Sequence, residues 1–170
     1  NVTKNDLDDQ GLMFKNLSFT IPPGRFLVIL GANVKQSSAI FDIILGNTRP
    51  NVGSFVRGRV FNYETKDKKV VFSKVIGNEK VIDETKTVFN NLMGSDTLKM
   101  KILETCGLSN KKDYYSYKIT KVEKRKLEIA IAVSRMKKLV LISDIFKSMK
   151  LENQLELWLL LERLCDQCGI

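Results

Sequence analysis

Short apolar runs alternate along the chain with longer segments in which apolar residues recur every three or four positions. The runs predict β-strands at Leu12 to Ile21, Phe26 to Leu30, Arg59 to Tyr63, Val70 to Ile76 and Leu139 to Ile142. The helical spacing predicts α-helices at Ile40 to Leu45, Thr85 to Leu92, Thr97 to Cys106, Val122 to Lys138 and Leu151 to Gln167. Strands that alternate with helices predict an α/β fold whose sheet is mostly parallel.

Length and composition agree with one soluble globular domain. A chain of 170 residues with 44% hydrophobic content can bury a substantial core. No apolar run is long enough to span a bilayer, and the polar, acidic start from Asn1 to Gln10 does not have the character of a signal or transit peptide. The chain has three cysteines and no histidine, so we expect reduced intracellular thiols rather than a zinc site.

The net charge of +9 comes mostly from lysines, which cluster around positions 66–69, 111–112, 121–126 and 137–138. A solvated surface explains most of this charge. A face near anionic lipid and a footprint on nucleic acid are the functional interpretations. Aromatic residues do not interleave with the lysines as a stacking platform requires, so nucleic acid is the less favoured partner.

The segment from Gly31 to Ser38 has the length of the phosphate-binding loop G-x-x-x-x-G-K-[ST], between an apolar strand and an apolar helix. Gln36 stands where the second glycine belongs, and Ser37 stands where the lysine belongs. That lysine reaches the β- and γ-phosphates, and the glycine lets backbone N–H groups curl around them. The frame of a nucleotide site is therefore present without its main phosphate contacts.

Several segments together resemble an ATP-binding cassette (ABC) domain. Asn16 to Asn33 is similar to the opening of that domain, Leu45 to Ser54 to the segment after the loop helix, and Leu139 to Phe146 lies where the Walker B strand would be. Ile119 to Ala130 is similar to the signature region of the white/pleiotropic-drug-resistance (G) subfamily, where a serine-glycine-glycine-glutamate run continues into a basic, apolar helix.

The resemblance covers essentially the whole chain and implies its domain organisation. It implies a single P-loop NTPase-like domain over residues 1–170, with a core of residues 12–82 and 119–170, a reduced helical subdomain at about 83–118, and a short antiparallel β segment. It also implies truncation before the segment that carries the family's switch histidine.

Departures from the family pattern fall on its catalytic positions. In the signature segment Thr120, Lys121, Val122 and Glu123, lysine and valine replace the two glycines that allow close approach to a nucleotide on a partner domain. Ser143 occupies the position of the metal-organising aspartate and Asp144 that of the water-polarising glutamate, although a slipped register would make Asp144 the Walker B acid.

Two further motif positions also differ. The glutamine of the Q-loop falls on Asn78, and the aspartate after the Walker B turn falls on Lys150. No tyrosine or tryptophan precedes Phe14 to stack on adenine.

The remaining candidate residues each have a structural explanation beside the functional one. Ser38 matches the magnesium-binding hydroxyl, but a serine early in a helix is often a cap. Lys35 could swing onto a phosphate or be an exposed loop lysine, and Asp144 could organise magnesium, act in catalysis or cap a turn. Glu123 suits the first turn of its helix whatever its function. The candidate nucleotide-binding set is Gly31, Asn33, Lys35, Gln36, Ser37, Ser38 and Asn78.

The resemblance implies an ABC-transporter cassette at the cytosolic face of a membrane, partnered by a transmembrane domain and a second cassette. Because phosphoryl transfer depends on electrostatic stabilisation, the combined losses predict weak or absent ATP hydrolysis and weak binding of ATP and magnesium. Two alternatives stay open. One is a divergent active ATPase that uses Lys35, Ser38 and Asp144, and the other is a cassette-like module that docks on an acidic partner such as RNA.

Overall fold

The structure is a computed structural model that describes residues 2–5, 12–22, 25–29, 34–45, 47–53, 72–76, 81–135, 139–143, 146 and 149–168. It contains two compact units, one formed by Asn1–Pro22 with Leu27–Val71 and the other by Pro23–Phe26 with Phe72–Ile170. Within the described ranges, no helix is both long and apolar enough to cross a membrane. The helices and strands are β1 (Val2–Asn5), β2 (Leu12–Leu17), α1 (Val34–Leu45), β3 (Phe72–Ile76), α2 (Asp96–Thr105), α3 (Lys121–Ser134), β4 (Leu139–Ser143) and α4 (Leu151–Cys168).

In the first unit, β1 pairs antiparallel with β2, and α1 contacts β2. The polar composition of residues 1–10 gave no sign of β1, which is held by backbone pairing with β2. The prediction of a strand from Leu12 to Ile21 is wrong at its C-terminal end. Strand β2 ends at Leu17, just after Asn16 adopts a positive φ of 55°. Residues 25–29 form no strand, contrary to the prediction for Phe26 to Leu30.

In the second unit, β3 and β4 form a parallel pair whose register runs from Phe72 opposite Leu139 to Ile76 opposite Ser143. Strands were predicted at both places, and both predictions are confirmed. The parallel pairing, together with the flanking helices, confirms the α/β class. The predicted strand from Arg59 to Tyr63 lies outside the described residues.

Helix α2 has well-defined caps at both ends. The Ser95 hydroxyl accepts a hydrogen bond from the N–H of Leu98 at the first turn. At the other end, Leu108 N–H donates to Leu103 O and Gly107 N–H to Glu104 O, with Gly107 at a positive φ of 67°. This bonding pattern is a Schellman motif, and it confirms Gly107 as the C-terminal stop that the sequence predicts.

The helix predicted from Thr85 to Leu92 is absent, and residues 81–95 form turns with one 3₁₀ segment, Phe89–Asn91. The Asn91 side chain accepts from Asp83 N–H and donates to the carbonyl oxygens of Asp83 and Thr87. These contacts satisfy backbone groups that a helix would otherwise pair, so the segment is folded by side-chain hydrogen bonds.

The core of the second unit lies between α2, α3 and α4. Helix α3 turns Leu127, Ile131 and their neighbours inward, and α4 contributes Leu157, Leu160 and Leu164 at helical spacing. Helices α3 and α4 were predicted within a few residues of their observed limits, except that α3 ends at Ser134 rather than Lys138. The loop that joins α2 to α3 packs on this core through buried residues.

Candidate functional site

The N-terminus of α3 is closed by a capping box formed by two residues of the signature segment. The N–H of Thr120 donates to Oε2 of Glu123 at 2.7 Å, and the Thr120 hydroxyl accepts from the N–H of Glu123 at 3.3 Å. A threonine followed three residues later by a glutamate is the sequence signature of this cap. The prediction that Glu123 lies in the first helical turn is confirmed.

Glu123 carries its negative charge at neutral pH. Partial burial disfavours the ionised form, but the hydrogen bonds from Thr120 and the charges of Lys111 and Lys126 outweigh it, so the pKa of Glu123 lies below its ordinary value of 4.5. A carboxylate thus sits at the positive end of the helix dipole, where the dipole itself favours an anion. The carboxylate of Glu123 therefore occupies the helix terminus as its anion.

The two residues at the glycine positions of the signature differ in environment. Lys121 is exposed, whereas Val122 is partly buried and brings a β-branched side chain to the first turn. The next turn is fixed by charge pairs: Lys124 contacts Glu84 at 2.7 Å, and Lys126 contacts Glu156 of α4. Lys121 and Val122 therefore add side chains to the first turn of α3 that two glycines would lack.

The phosphate-loop segment belongs to the first unit, and its helix begins early. Helix α1 starts at Val34, six residues before the predicted start at Ile40, so Lys35, Gln36, Ser37 and Ser38 are all helical in backbone. Ser38 is the fifth residue of α1 and is exposed, so it is not the helix cap. Gly31 and Asn33 lie outside the described residues.

The Walker B position lies at the end of β4. Ser143 is the last residue of β4 and pairs in register with Ile76, the last residue of β3. Asn78 and Asp144 lie outside the described residues, so their predicted roles stay predictions. Lys150 is exposed immediately before α4. In the described part of the chain, no group of three or more histidine, cysteine, aspartate or glutamate residues is placed to hold a metal ion.

A second feature of the same region escaped the sequence interpretation. Tyr114, Tyr115 and Tyr117 are exposed between α2 and α3, and the Lys111 ammonium lies 4.6 Å from the centre of the Tyr114 ring. The Lys118 ammonium lies 5.6 Å from the Tyr117 ring centre. The statement that aromatic residues do not interleave with the lysines is therefore wrong for this segment, whose order K-K-D-Y-Y-S-Y-K carries the signal.

The structure brings together candidate residues at the start of α3. Thr120 and Glu123 are joined directly, and Lys111 links their surroundings to Tyr114 because its charge acts on both Glu123 and the ring. Helix α1 and the signature segment belong to different units, each defined by its own contacts. Thr120 and Glu123 cap α3 from within the signature segment.

Comparison with known proteins gives a consistent result. A sequence model of the family described as "ABC transporter" matches residues 14–145. The chain is 24% identical over 170 residues to the nitrate import ATP-binding protein NrtC of Synechococcus elongatus, covering 95% of this chain and 26% of that protein. It is 28% identical over 135 residues to the energy-coupling factor transporter ATP-binding protein EcfA1 of Fusobacterium nucleatum, covering 69% of this chain and 50% of that protein. The chain thus spans half or less of the length of these two curated relatives.

A solved structure extends the likeness to the fold. The protein cbiO1 from Clostridium perfringens, part of the ABC transporter complex cbiONQ, matches with a TM-score of 0.79 at 18% identity. The match covers 99% of this chain and 73% of that chain. The fold of the chain is therefore that of these ATP-binding domains.

Proposed function

The chain belongs to the ABC transporter family, and from this premise we propose that it is a cassette of a membrane transport system in which ATP hydrolysis is weak or lost. The relatives are named as ATP-binding proteins of import and energy-coupling factor transporters, which supports a role in transport. In this proposal the chain keeps the fold of the cassette but not the efficient binding and hydrolysis of ATP.

The residues at the two glycine positions of the signature, Lys121 and Val122 in the first turn of α3, are the observation that carries the proposal. In the family this helix terminus approaches the γ-phosphate of a nucleotide held by a partner cassette, and glycines make that approach close. Here Lys121 presents a long side chain, and Val122 presents a branched one. An incoming phosphate would meet steric obstruction at a terminus that normally attracts it.

The phosphate loop, which would hold the nucleotide bound by this chain, supports the same conclusion. The lysine of such a loop reaches the β- and γ-phosphates, and its second glycine lets backbone N–H groups curl around them. Here serine replaces the lysine at position 37, and glutamine replaces the glycine at position 36. These residues do not fit a tightly held triphosphate.

We infer the partners of this chain from its family. We expect a transmembrane domain and a second cassette as partners, at the cytosolic face of a membrane. ATP and magnesium would bind weakly, through Gly31, Asn33, Lys35, Gln36, Ser37, Ser38, Asn78 and Asp144. Placement beside the G subfamily rests on the similarity of Ile119 to Ala130, including Glu123 at the position of its glutamate.

Calorimetry with ATP, with and without magnesium, tests the proposal on the purified chain. We expect an affinity no tighter than millimolar and no phosphate release above the blank, and the same absence of phosphate release in Lys35→Ala. As a matched control, the combined substitution Gln36→Gly and Ser37→Lys restores both lost loop residues and should strengthen ATP binding. Rapid magnesium-dependent turnover that disappears in Lys35→Ala would overturn the proposal in favour of a divergent active ATPase.

A further inference from the structure

The connection between α2 and α3 exposes three tyrosines side by side on one short segment. Tyr114 and Tyr115 are each 47% exposed, and Tyr117 is 54% exposed. Large aromatic side chains usually bury most of their area, so three exposed rings within four residues form an uncommon surface. We call Lys111, Tyr114, Tyr115, Tyr117 and Lys118 the tyrosine–lysine surface.

Two rings of this surface are stacked on each other, and two of the three rings have a lysine over them. Tyr115 and Tyr117 are 5.7 Å apart between ring centres, with their planes inclined by 24°. Lys111 lies over the Tyr114 ring, and Lys118 lies over the Tyr117 ring. Each cation is attracted by the electron-rich ring face, which keeps a positive charge beside an aromatic plane.

The backbone beneath the rings is held firmly to the core. Val88 N–H donates to Tyr114 O at 2.9 Å, and Ser116 N–H donates to Lys86 O at 3.0 Å. The Ser116 side chain is fully buried, where its hydroxyl donates to Lys86 O and accepts from Asn91 Nδ2. A surface fixed in this way loses little conformational entropy when a ligand binds.

The charge of the segment points to an anionic ligand. Between Ser109 and Lys121 there are four lysines, Lys111, Lys112, Lys118 and Lys121, against a single acid, Asp113. Anionic lipid is the competing ligand, but binding in a membrane interface needs apolar side chains that insert. The aliphatic residues that flank the tyrosines, Leu108 and Ile119, are buried in the core at 0% and 6% exposure. The tyrosine rings and the lysine ammonium groups are therefore the groups that can bind a ligand.

We propose that the tyrosine–lysine surface binds single-stranded nucleic acid, with bases stacked on the tyrosine rings and phosphates paired with the lysines. Base–aromatic stacking tolerates any base, because every base has a π face, and lysines beside the rings follow the backbone. The inference is independent of the proposed loss of ATP hydrolysis. It assigns a ligand to residues outside the phosphate loop and the signature segment.

Fluorescence anisotropy with a labelled oligouridylate of about 12 nucleotides at about 50 mM salt tests the proposal. Tyr115→Ala or Tyr117→Ala should weaken binding roughly five- to hundredfold, the range expected for one stacked base. Tyr117→Phe keeps the ring and should bind like the parent. Replacing Lys111 and Lys118 with glutamine should also flatten the dependence of affinity on salt, while glutamine at the exposed Lys101 and Lys150 removes the same total charge elsewhere and serves as the control.

Each other outcome overturns the proposal. Absence of binding at low salt removes it outright. Binding that the tyrosine variants leave unchanged would show attraction to positive charge without a stacking site. Sedimentation with phosphatidylserine vesicles, if it occurs and is lost in Tyr117→Ala but not in Tyr117→Phe while oligouridylate does not bind, would assign the surface to a membrane. None of these results alters the expected ATP calorimetry.

Discussion

Asn91 donates a hydrogen bond from Nδ2 to Oγ of Ser116 at 2.9 Å, across 25 positions of the chain. The same amide holds the turn that begins at Asp83, so one side chain joins two irregular segments to each other. Asn91 ends the short 3₁₀ segment Phe89–Asn91 and Ser116 begins another, Ser116–Lys118, and neither segment belongs to an α-helix or a strand. The contact therefore fixes the position of the tyrosine–lysine surface.

Replacing Asn91 by alanine should lower the free energy of unfolding by about 2–3 kcal/mol, because several partly buried polar groups lose their partner at once. Urea unfolding followed by circular dichroism measures the change. Asn90→Ala is the matched control, since Asn90 is exposed and should change stability by less than about 0.5 kcal/mol. Equal effects of the two substitutions would show that Asn91 does not organise this region.

Glu123 should make the stability of the fold sensitive to acid. Its pKa is lower in the folded protein than the ordinary 4.5, so its contribution is fully present above that value and is lost as pH falls through the folded pKa. Thermal unfolding from about pH 7 to about pH 3 should therefore decline less steeply in Glu123→Gln than in the parent. Parallel curves for the two proteins would contradict the capping role of the carboxylate.

Arg125 and Glu128 form an ion pair on α3 that is mostly shielded from solvent, with contact at 2.7 Å and side chains 13% and 11% exposed. Burial raises the pKa of Glu128, although Arg125 opposes the shift. Because a raised pKa means that the folded state binds the proton more tightly, the carboxylate costs stability at neutral pH and this cost disappears as pH falls.

Arg125→Met should consequently destabilise the fold by about 1–3 kcal/mol at neutral pH, because it leaves a buried carboxylate unpaired. The loss should shrink as pH falls and the carboxylate of Glu128, whose pKa is raised, takes up a proton. The double substitution Arg125→Met with Glu128→Leu should recover most of the stability, as apolar replacements of buried pairs often do. A loss that is independent of pH, or a double variant no better than the single one, would refute this account.

Gly94 and Gly107 both have a positive φ, but only one of them lacks space for a side chain. A Cβ on Gly94 would lie 2.7 Å from Cδ2 of Leu98, whereas one on Gly107 would meet only the Nζ of Lys126 at 4.0 Å. Gly107 at φ 67° also lies in the left-handed region that asparagine tolerates, unlike Gly94 at 101°.

We therefore expect Gly107→Asn to cost less than about 1 kcal/mol and Gly94→Asn to cost more than twice as much. Chemical denaturation of the two variants makes the comparison directly. If Gly107→Asn were the more damaging of the two, the left-handed cap of α2 would not be the reason for glycine at that position.

The sequence predicted the two candidate segments, the signature segment and the phosphate loop, to different degrees. The first-turn position of Glu123 could be predicted, because a capping box needs only Thr120 and a glutamate three residues later. The start of α1 at Val34 could not be predicted from the loop motif, because the loss of both the glycine and the lysine removes the features that define where such a loop ends. The role of Asp144 stays a prediction.

By itself the sequence determined the strands β3 and β4, the helices α2, α3 and α4, and the stop at Gly107, since local spacing of apolar residues and caps governs these elements. Only the tertiary structure decided that residues 81–95 are held by Asn91 instead of forming a helix. It also decided that β1 pairs with β2, and that Ser116 is buried while its tyrosine neighbours are exposed. Those outcomes depend on side-chain hydrogen bonds, strand pairing and packing, which local propensity does not specify.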